Sequence, residues 1–336
     1  MKDEILSRIQ KKFPLVAKPF EAIANELDMS EAEVLQILQE QKKANIIRQT
    51  SAIFDTKRLG YKSSLVAFKI AQDKINDAVK IINAHPGVSH NYERNHEFNI
   101  WFTMAVSPES KLGLDKTIEI LSKLTKADDY IMLPTLKLFK INVKLNTTGK
   151  DEKKEKVKKV IHTEIDITPL HQAIVEKAQY DIDFVSEPFK KIIDELNIDY
   201  DKFFAILKEL QESGMMRRFA SILNHRKAGF NANAMVVWDV EEGEKGEEIG
   251  AIAAAFSAVS HCYLRPKYPN WPYNLFTMVH GKTTEETNGI IEEMSKEIQS
   301  KTHMPLYSSR EFKKVRIEYF TPKFETWEAQ HIDLKD

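Results

Sequence analysis

The spacing of apolar positions changes period part-way along this chain, and the same change then recurs. Ile5, Leu6, Ile9 and Phe13 form a helical stripe, and a second helix is predicted near 19–27. Ser30-Glu31-Ala32-Glu33 reads as a capping box opening a third helix that carries Val34, Leu35, Ile37 and Leu38. That helix should stop at Asn45, a residue type that tolerates a left-handed backbone. Three short helices so spaced predict a helix-turn-helix subdomain over 1–48. Beyond it the period shortens. Ser51–Phe54 and Ser64–Ile70 read as strands, Ile75, Val79 and Ile82 as a helix, and Val88–Arg94 and Asn99–Val106 as strands. Leu114, Ile118, Leu121 and Leu124 mark another helix, and Ile131–Leu145 a closing strand. The order β-α-β-β-α-β predicts a ferredoxin-like domain over 49–146.

With an offset of 169 residues, positions 13–70 align on 182–239 without a gap. Thr168-Pro169 caps the first helix of the second copy, a helix follows near 188–196, and Gly214 stands where Asn45 stands. Strand 233–240, helix 247–257, strands 259–265 and 274–280, helix 284–300 and strand 310–320 complete it. The fold class is therefore α+β, a tandem repeat of helix-turn-helix (165–217) and ferredoxin-like domain (218–325). Residues 147–164, rich in Lys, Asp and Glu, read as a charged linker. Paired sheets of such domains normally stack, so the halves are expected to form an internal pseudo-dimer, with a homodimer also open.

Composition narrows the function. The 49 Lys+Arg and 50 Asp+Glu nearly cancel, which argues against a polyanion-coating protein. A lone cysteine, Cys262, excludes an intramolecular disulfide and any all-Cys metal site. No apolar run approaches a membrane span, and the amino terminus lacks a secretion-signal core, so a soluble, cytoplasmic protein with no membrane partner is expected. The third helix of each copy carries acidic residues (Glu31, Glu33, Glu40; Asp199, Asp201, Glu209, Glu212), which DNA phosphates would repel. No DNA partner is expected.

The chemistry lies in a doubled string. Val88-Ser89-His90-Asn91-Tyr92-Glu93-Arg94 returns as Val259-Ser260-His261-Cys262-Tyr263-Leu264-Arg265. His, Tyr and Arg at i, i+2 and i+4 share one face of a strand, so one cavity would see an acid/base or ligating ring, a phenol and a cation. Rebuilding a core gives no reason to repeat those three. The second copy adds Met215-Met216-Arg217-Arg218-Phe219, Asn224-His225-Arg226-Lys227 and the stiff aromatic run Arg265-Pro266-Lys267-Tyr268-Pro269-Asn270-Trp271-Pro272-Tyr273. Such a set suits a large, flat, polyanionic ligand.

Bland readings stand beside these. His85, His162 and His303 read as solvent-facing or capping, His90 as a possible structural remnant, and Arg48 and Arg217 as salt-bridging the subdomains. Cys262, Met215 and Met216 read as packing residues.

A helix-turn-helix followed by a ferredoxin-like domain resembles the leucine-responsive regulators (Lrp/AsnC). The stretches R-R-F-A-S-I-L-N-H-R-K-A-G-F-N-A-N-A-M-V and V-S-H-C-Y-L-R-P-K-Y-P-N-W-P-Y-N-L-F-T-M-V-H-G resemble one subunit type of siroheme decarboxylase. R-Q-T-S-A-I-F-D-T-K-R-L-G-Y-K-S and H-P-G-V-S-H-N-Y-E-R-N-H-E-F-N-I-W-F-T resemble the partner subunit. The resemblance implies an enzyme that removes the C12 and C18 acetate carboxyls of siroheme to give 12,18-didecarboxysiroheme, for alternative haem or haem d1 synthesis. Here both subunit types are fused. It implies no cofactor beyond the iron of the substrate and no metal held by protein alone. His225 and His261 are assigned to acid/base work or axial contact with that iron, and Arg218 and Arg265 to orienting acetates. Arg48, His90, Tyr92, Arg94, Arg217, Lys227, Tyr263 and Trp271 are the expected substrate contacts. The alternative is a non-catalytic, tetrapyrrole-sensing regulator.

Overall fold

A computed structural model of the chain describes residues 1–141, 163–223 and 232–335. The first half runs α1 (Lys2–Lys11), α2 (Pro19–Glu26), α3 (Glu31–Lys43), β1 (Ile47–Phe54), β2 (Lys62–Lys69), α4 (Ile75–Ala84), β3 (Val88–Arg94), β4 (Ile100–Val106), α5 (Gly113–Thr125), β5 (Asp129–Leu133) and β6 (Lys137–Ile141). The second runs α6 (Pro169–Ala178), α7 (Lys190–Leu196), α8 (Tyr200–Glu212), β7 (Met216–Leu223), β8 (Ala232–Asp239), α9 (Glu244–Ala255), β9 (Val259–Leu264), β10 (Leu275–Gly281), α10 (Thr284–Glu297), β11 (Thr302–Lys314) and α11 (Lys323–His331).

These elements sort into two compact units that do not follow the halves. The first unit gathers all six helix-turn-helix helices with β1 and β7. Its local rules are those of the sequence. Ser30 Oγ accepts from Glu33 N while Glu33 accepts from Ser30 N, closing the capping box, and Thr168 caps α6. Asn45 and Gly214 both take positive φ, 57° and 73°, where α3 and α8 stop. The core interleaves the halves: Phe13 lies 5.0 Å from Phe219 and 6.0 Å from Phe20, and Phe20 lies 5.6 Å from Phe184. β1 and β7 pair antiparallel with each other, so 49–61 and 218–223 join the helices instead of the ferredoxin-like domains expected to start at 49 and 218. A two-stranded ribbon needs a face to pack on, and α1 and α8 supply it.

The second unit holds one nine-stranded sheet ordered β5-β2-β4-β3-β11-β8-β10-β9-β6. Each ferredoxin-like set is recognisable within it, as β5-β2-β4-β3 and β11-β8-β10-β9. The halves therefore join edge to edge instead of merely stacking. β11 changes partner along its length, with Thr302–Tyr307 on β8 and Ser308–Lys314 on β3. The stretch 129–141 likewise serves both halves, with β5 paired to β2 and β6 paired to β9. Pro134 interrupts the closing strand expected over 131–145, because it has no N–H for a ladder. The last strand starts eight residues before the expected 310, its first part carrying Pro305, which reads against a strand in the sequence.

Helices cover one face of this sheet. Phe68, Phe102, Ile118 and Leu121 fill that side in the first half, and Trp238, Ile249, Leu275 and Met294 in the second. The opposite face buries Ala67, Trp101, Met235, Val237, Phe276 and Leu306 in a core common to both halves. With both faces covered, Ile100–Val106 reads as an almost unbroken apolar run. The carboxy-terminal α11, which the sequence pattern did not suggest, seats Trp327 in the first of these cores beside His85 (ring centroids 4.4 Å).

Candidate active site

On β3, Asn91 points to the helical side, where its Nδ2 donates to Asn83 of α4 at 2.9 Å. On β9, Cys262 does likewise against the Gly250 carbonyl, and burial pushes its thiol up to about 12, consistent with a packing residue. Side chains alternate along a strand, so His90, Tyr92 and Arg94, and His261, Tyr263 and Arg265, share the common inner face. The two triplets adopt one geometry. His90 stacks on Tyr92 at 6.3 Å and His261 on Tyr263 at 6.2 Å. Arg94 lies over Tyr92 at 5.7 Å and Arg265 over Tyr263 at 4.9 Å.

Each arginine reaches into the other half of the chain. Arg94 Nη1 donates to Leu306 O at 2.8 Å, and Arg265 Nη1 donates to Leu133 O and, at 3.3 Å, to Thr135 Oγ1. Among the described residues neither guanidinium has a carboxylate partner, and both Nε atoms are buried without a hydrogen bond. Burial lowers both from 12.5 to about 10. Two desolvated cations with open donors make this face receptive to anions.

The histidines are held by the serine preceding each. Ser89 Oγ meets His90 Nδ1 at 3.0 Å, and Ser260 Oγ meets His261 Nδ1 at 2.7 Å. Burial depresses both imidazoles below their ordinary value, and the charge of His90 depresses His261 further. Their surroundings differ. Glu311 and Lys314 of β11 stand opposite Tyr92 and His90. Leu138 and Ile141 of β6, 48% and 43% exposed, stand opposite Tyr263 and His261. The second triplet thus has an apolar, open flank. Trp271 is buried among Trp101, Tyr273 and Phe276, forming a wall behind this face, and its indole N–H has no partner among the described residues.

The remaining candidates lie elsewhere. Arg48, Arg217 and Arg218 belong to the first unit, all exposed on the β1–β7 ribbon, with Arg217 paired to Asp55 at 2.8 Å. His225 and Lys227 lie outside the described residues. Among the described residues no three His, Cys, Asp or Glu side chains gather as a metal-binding set, and no helix is long and apolar enough to cross a membrane.

Known proteins resemble this chain closely. The AsnC-like ligand-binding domain matches residues 58–140 and 227–313, and the siroheme decarboxylase NirDL-like HTH domain matches 2–48. Over 325 residues the chain is 40% identical to the siroheme decarboxylase of Hydrogenobacter thermophilus, covering 97% of this chain and 96% of that one. The chain belongs to the siroheme decarboxylase family. The chain is also 42% identical to the siroheme decarboxylase beta subunit of Methanosarcina barkeri over 144 residues, 43% of this chain and 94% of that subunit. A crystal structure of the siroheme decarboxylase NirDL superposes with a TM-score of 0.81 at 36% identity, covering 99% of this chain and 98% of that one. The same enzyme in co-complex with an iron-uroporphyrin III analogue also gives 0.81, at 35% identity.

Within this siroheme decarboxylase family fold, sequence reading missed the residues that orient the histidines. Ser260 Oγ also meets His280 Nε2 at 2.6 Å, and His280 Nδ1 meets Asn233 Oδ1 at 2.8 Å. In the first half Ser89 Oγ meets Thr103 Oγ1 at 2.7 Å instead. The serines were visible as repeated members of the string. His280 was not, since Ala105 holds its place in the first copy.

Proposed function

We propose that the protein is a siroheme decarboxylase, a carboxy-lyase that removes the C12 and C18 acetate carboxyls to give 12,18-didecarboxysiroheme. The observation that carries this reading is the inner sheet face, with two serine-held imidazoles and two guanidiniums whose buried Nε atoms lack a partner among the described residues, in a chain alike over nearly its full length to such an enzyme. Siroheme carries eight carboxylates, and a buried cation without a counter-charge is relieved by an anionic ligand.

The residues divide the work as follows. Arg94 and Arg265 meet substrate carboxylates. Leu138 and Ile141 give the macrocycle an apolar flank. As the C–CO2 bond breaks, its electron pair passes into the ring system. His261 then delivers a proton to the methylene carbon through Nε2. Siroheme itself carries the iron. Chemistry of this kind needs no cofactor beyond that iron. The regulator alternative draws no support from the full-length relatives.

Anaerobic incubation with siroheme should release two carbon dioxide molecules per macrocycle, read by mass spectrometry. Unchanged siroheme would refute the proposal. His261→Ala should lower turnover far more than His90→Ala, and equal effects would mean the two triplets act alike.

A further inference from the structure

We propose that Asn233, His280 and Ser260 form a hydrogen-bond chain of fixed direction that sets the tautomer of His261, which makes His280 a positioning residue for the acid. The inference rests on the reading of His261 as that acid.

The direction follows from the atoms. The Asn233 Oδ1 only accepts, so at 2.8 Å the His280 Nδ1 must donate. A neutral His280 then offers a lone pair at Nε2, and the Ser260 hydroxyl, 2.6 Å away, donates into it. Its proton so committed, the Ser260 oxygen accepts at 2.7 Å from the Nδ1–H of His261. Neutral His261 is left with its lone pair on Nε2, the nitrogen remote from Ser260. Burial holds His280 below its ordinary value, so it is neutral near pH 7 and the chain runs in this sense.

The consequence is that one atom handles every proton. Neutral His261 takes a proton from solvent at Nε2, and the imidazolium so formed gives it to the methylene carbon as carbon dioxide leaves, the pair from the broken C–C bond forming the new C–H bond. His261 returns to its Nδ1–H form, and Nε2 takes the next proton for the second decarboxylation. A reversed chain would put the proton of neutral His261 on Nε2, where it could accept nothing.

The device exists in one half. Asn233 and His280 are register partners, and Ser63 and Ala105 occupy the same relation in the first half. There Ser89 meets Thr103, whose hydroxyl can donate or accept, so no direction is imposed on His90. Opposite His261 stand Met278 and Ile141, the titratable groups that act on it or on its chain are His90 and His280, and among the described residues no carboxylate bonds to any member of the chain. The inference therefore singles out the second triplet as the working one.

Two substitutions read the direction. In His280→Gln the amide oxygen can still accept from Ser260, and turnover should stay within about threefold of wild type. In His280→Lys only donors remain, which reverses Ser260, and turnover should fall about a hundredfold while siroheme affinity, followed by absorbance, moves by less than about threefold. Ser260→Ala removes the link without adding charge and should also lower turnover. Nitrogen NMR of unliganded protein should show the Nδ1–H tautomer of His261 in wild type and His280→Gln, and its loss in His280→Lys. Wild-type protein showing the Nε2–H tautomer, or Ser260→Ala and His280→Lys both turning over like wild type, would overturn the proposal. A wild-type protein that leaves siroheme unchanged would instead sink the decarboxylase reading, with the tautomer measurement still deciding the chain.

Discussion

Replacing Arg94 by methionine separates the two roles that a buried guanidinium can have. Arg94 is 7% exposed, and burial lowers it from 12.5 to about 10. That depression corresponds to about 3 kcal/mol against the charged form in the folded protein. The 2.8 Å bond to Leu306 O returns about 2 kcal/mol, as expected of a charged donor. The Tyr92 ring at 5.7 Å adds under about 1 kcal/mol. These terms nearly cancel, so Arg94→Met should change the stability of the unliganded protein by no more than about 1 kcal/mol, since methionine fills similar space without charge. Binding is another matter. If the guanidinium meets a siroheme carboxylate, its loss costs at least about 2 kcal/mol, or about thirtyfold in Kd. Urea denaturation of unliganded protein and anaerobic absorbance titration with siroheme measure the two quantities. A variant destabilised by more than about 3 kcal/mol with unchanged siroheme affinity would refute the reasoning and leave Arg94 as a staple between the halves.

Gly87 precedes the first repeated string, and a Cβ there would sit 1.8 Å from the Ala105 carbonyl oxygen. Gly87→Ala should therefore cost at least about 2 kcal/mol in urea denaturation, and a silent change would mean that β3 and β4 can separate freely. His85, buried against Trp327 and lowered from 6.5 to about 3 by burial first and by Lys313 next, is neutral in the folded state. Its contribution is complete above about pH 6.5 and is lost as the pH falls toward about 3, so the thermal midpoint should drop between about pH 7.5 and about pH 4.5 by more in wild type than in His85→Gln. Equal drops would contradict a neutral buried ring. On mixed-sequence DNA at low salt a gel shift should show no retarded species, and tight, salt-sensitive binding would reverse the expectation drawn from the acidic third helices.

Much of the fold was legible because its signals are local. Ser30, Thr168, Asn45 and Gly214 each satisfy or end a helix by bonds within a few residues, and those features stand where the sequence places them. Val88–Arg94 is a strand over the expected bounds. His85 fits the expectation of a cap, closing α4, yet it is also buried under a helix whose only apolar cue was Phe324 and Trp327. The candidate site was legible as chemistry and illegible as assembly. Repetition revealed His261, Tyr263 and Arg265, whereas His280 and Asn233 belong to one copy and meet Ser260 only across strands.

By itself the sequence determined most of the elements, their order, their duplication and the family, because periodicity, caps and motifs depend on residues close together in the chain. The tertiary structure alone decided which half each strand serves. β1 pairs with β7, β6 with β9 and β11 with both β8 and β3, since a ladder bond looks the same whichever strand supplies it. That exchange gives the sheet one inner face common to both halves. It also brings the charge of His90 to bear on His261, a relation between residues 171 positions apart that no local pattern encodes.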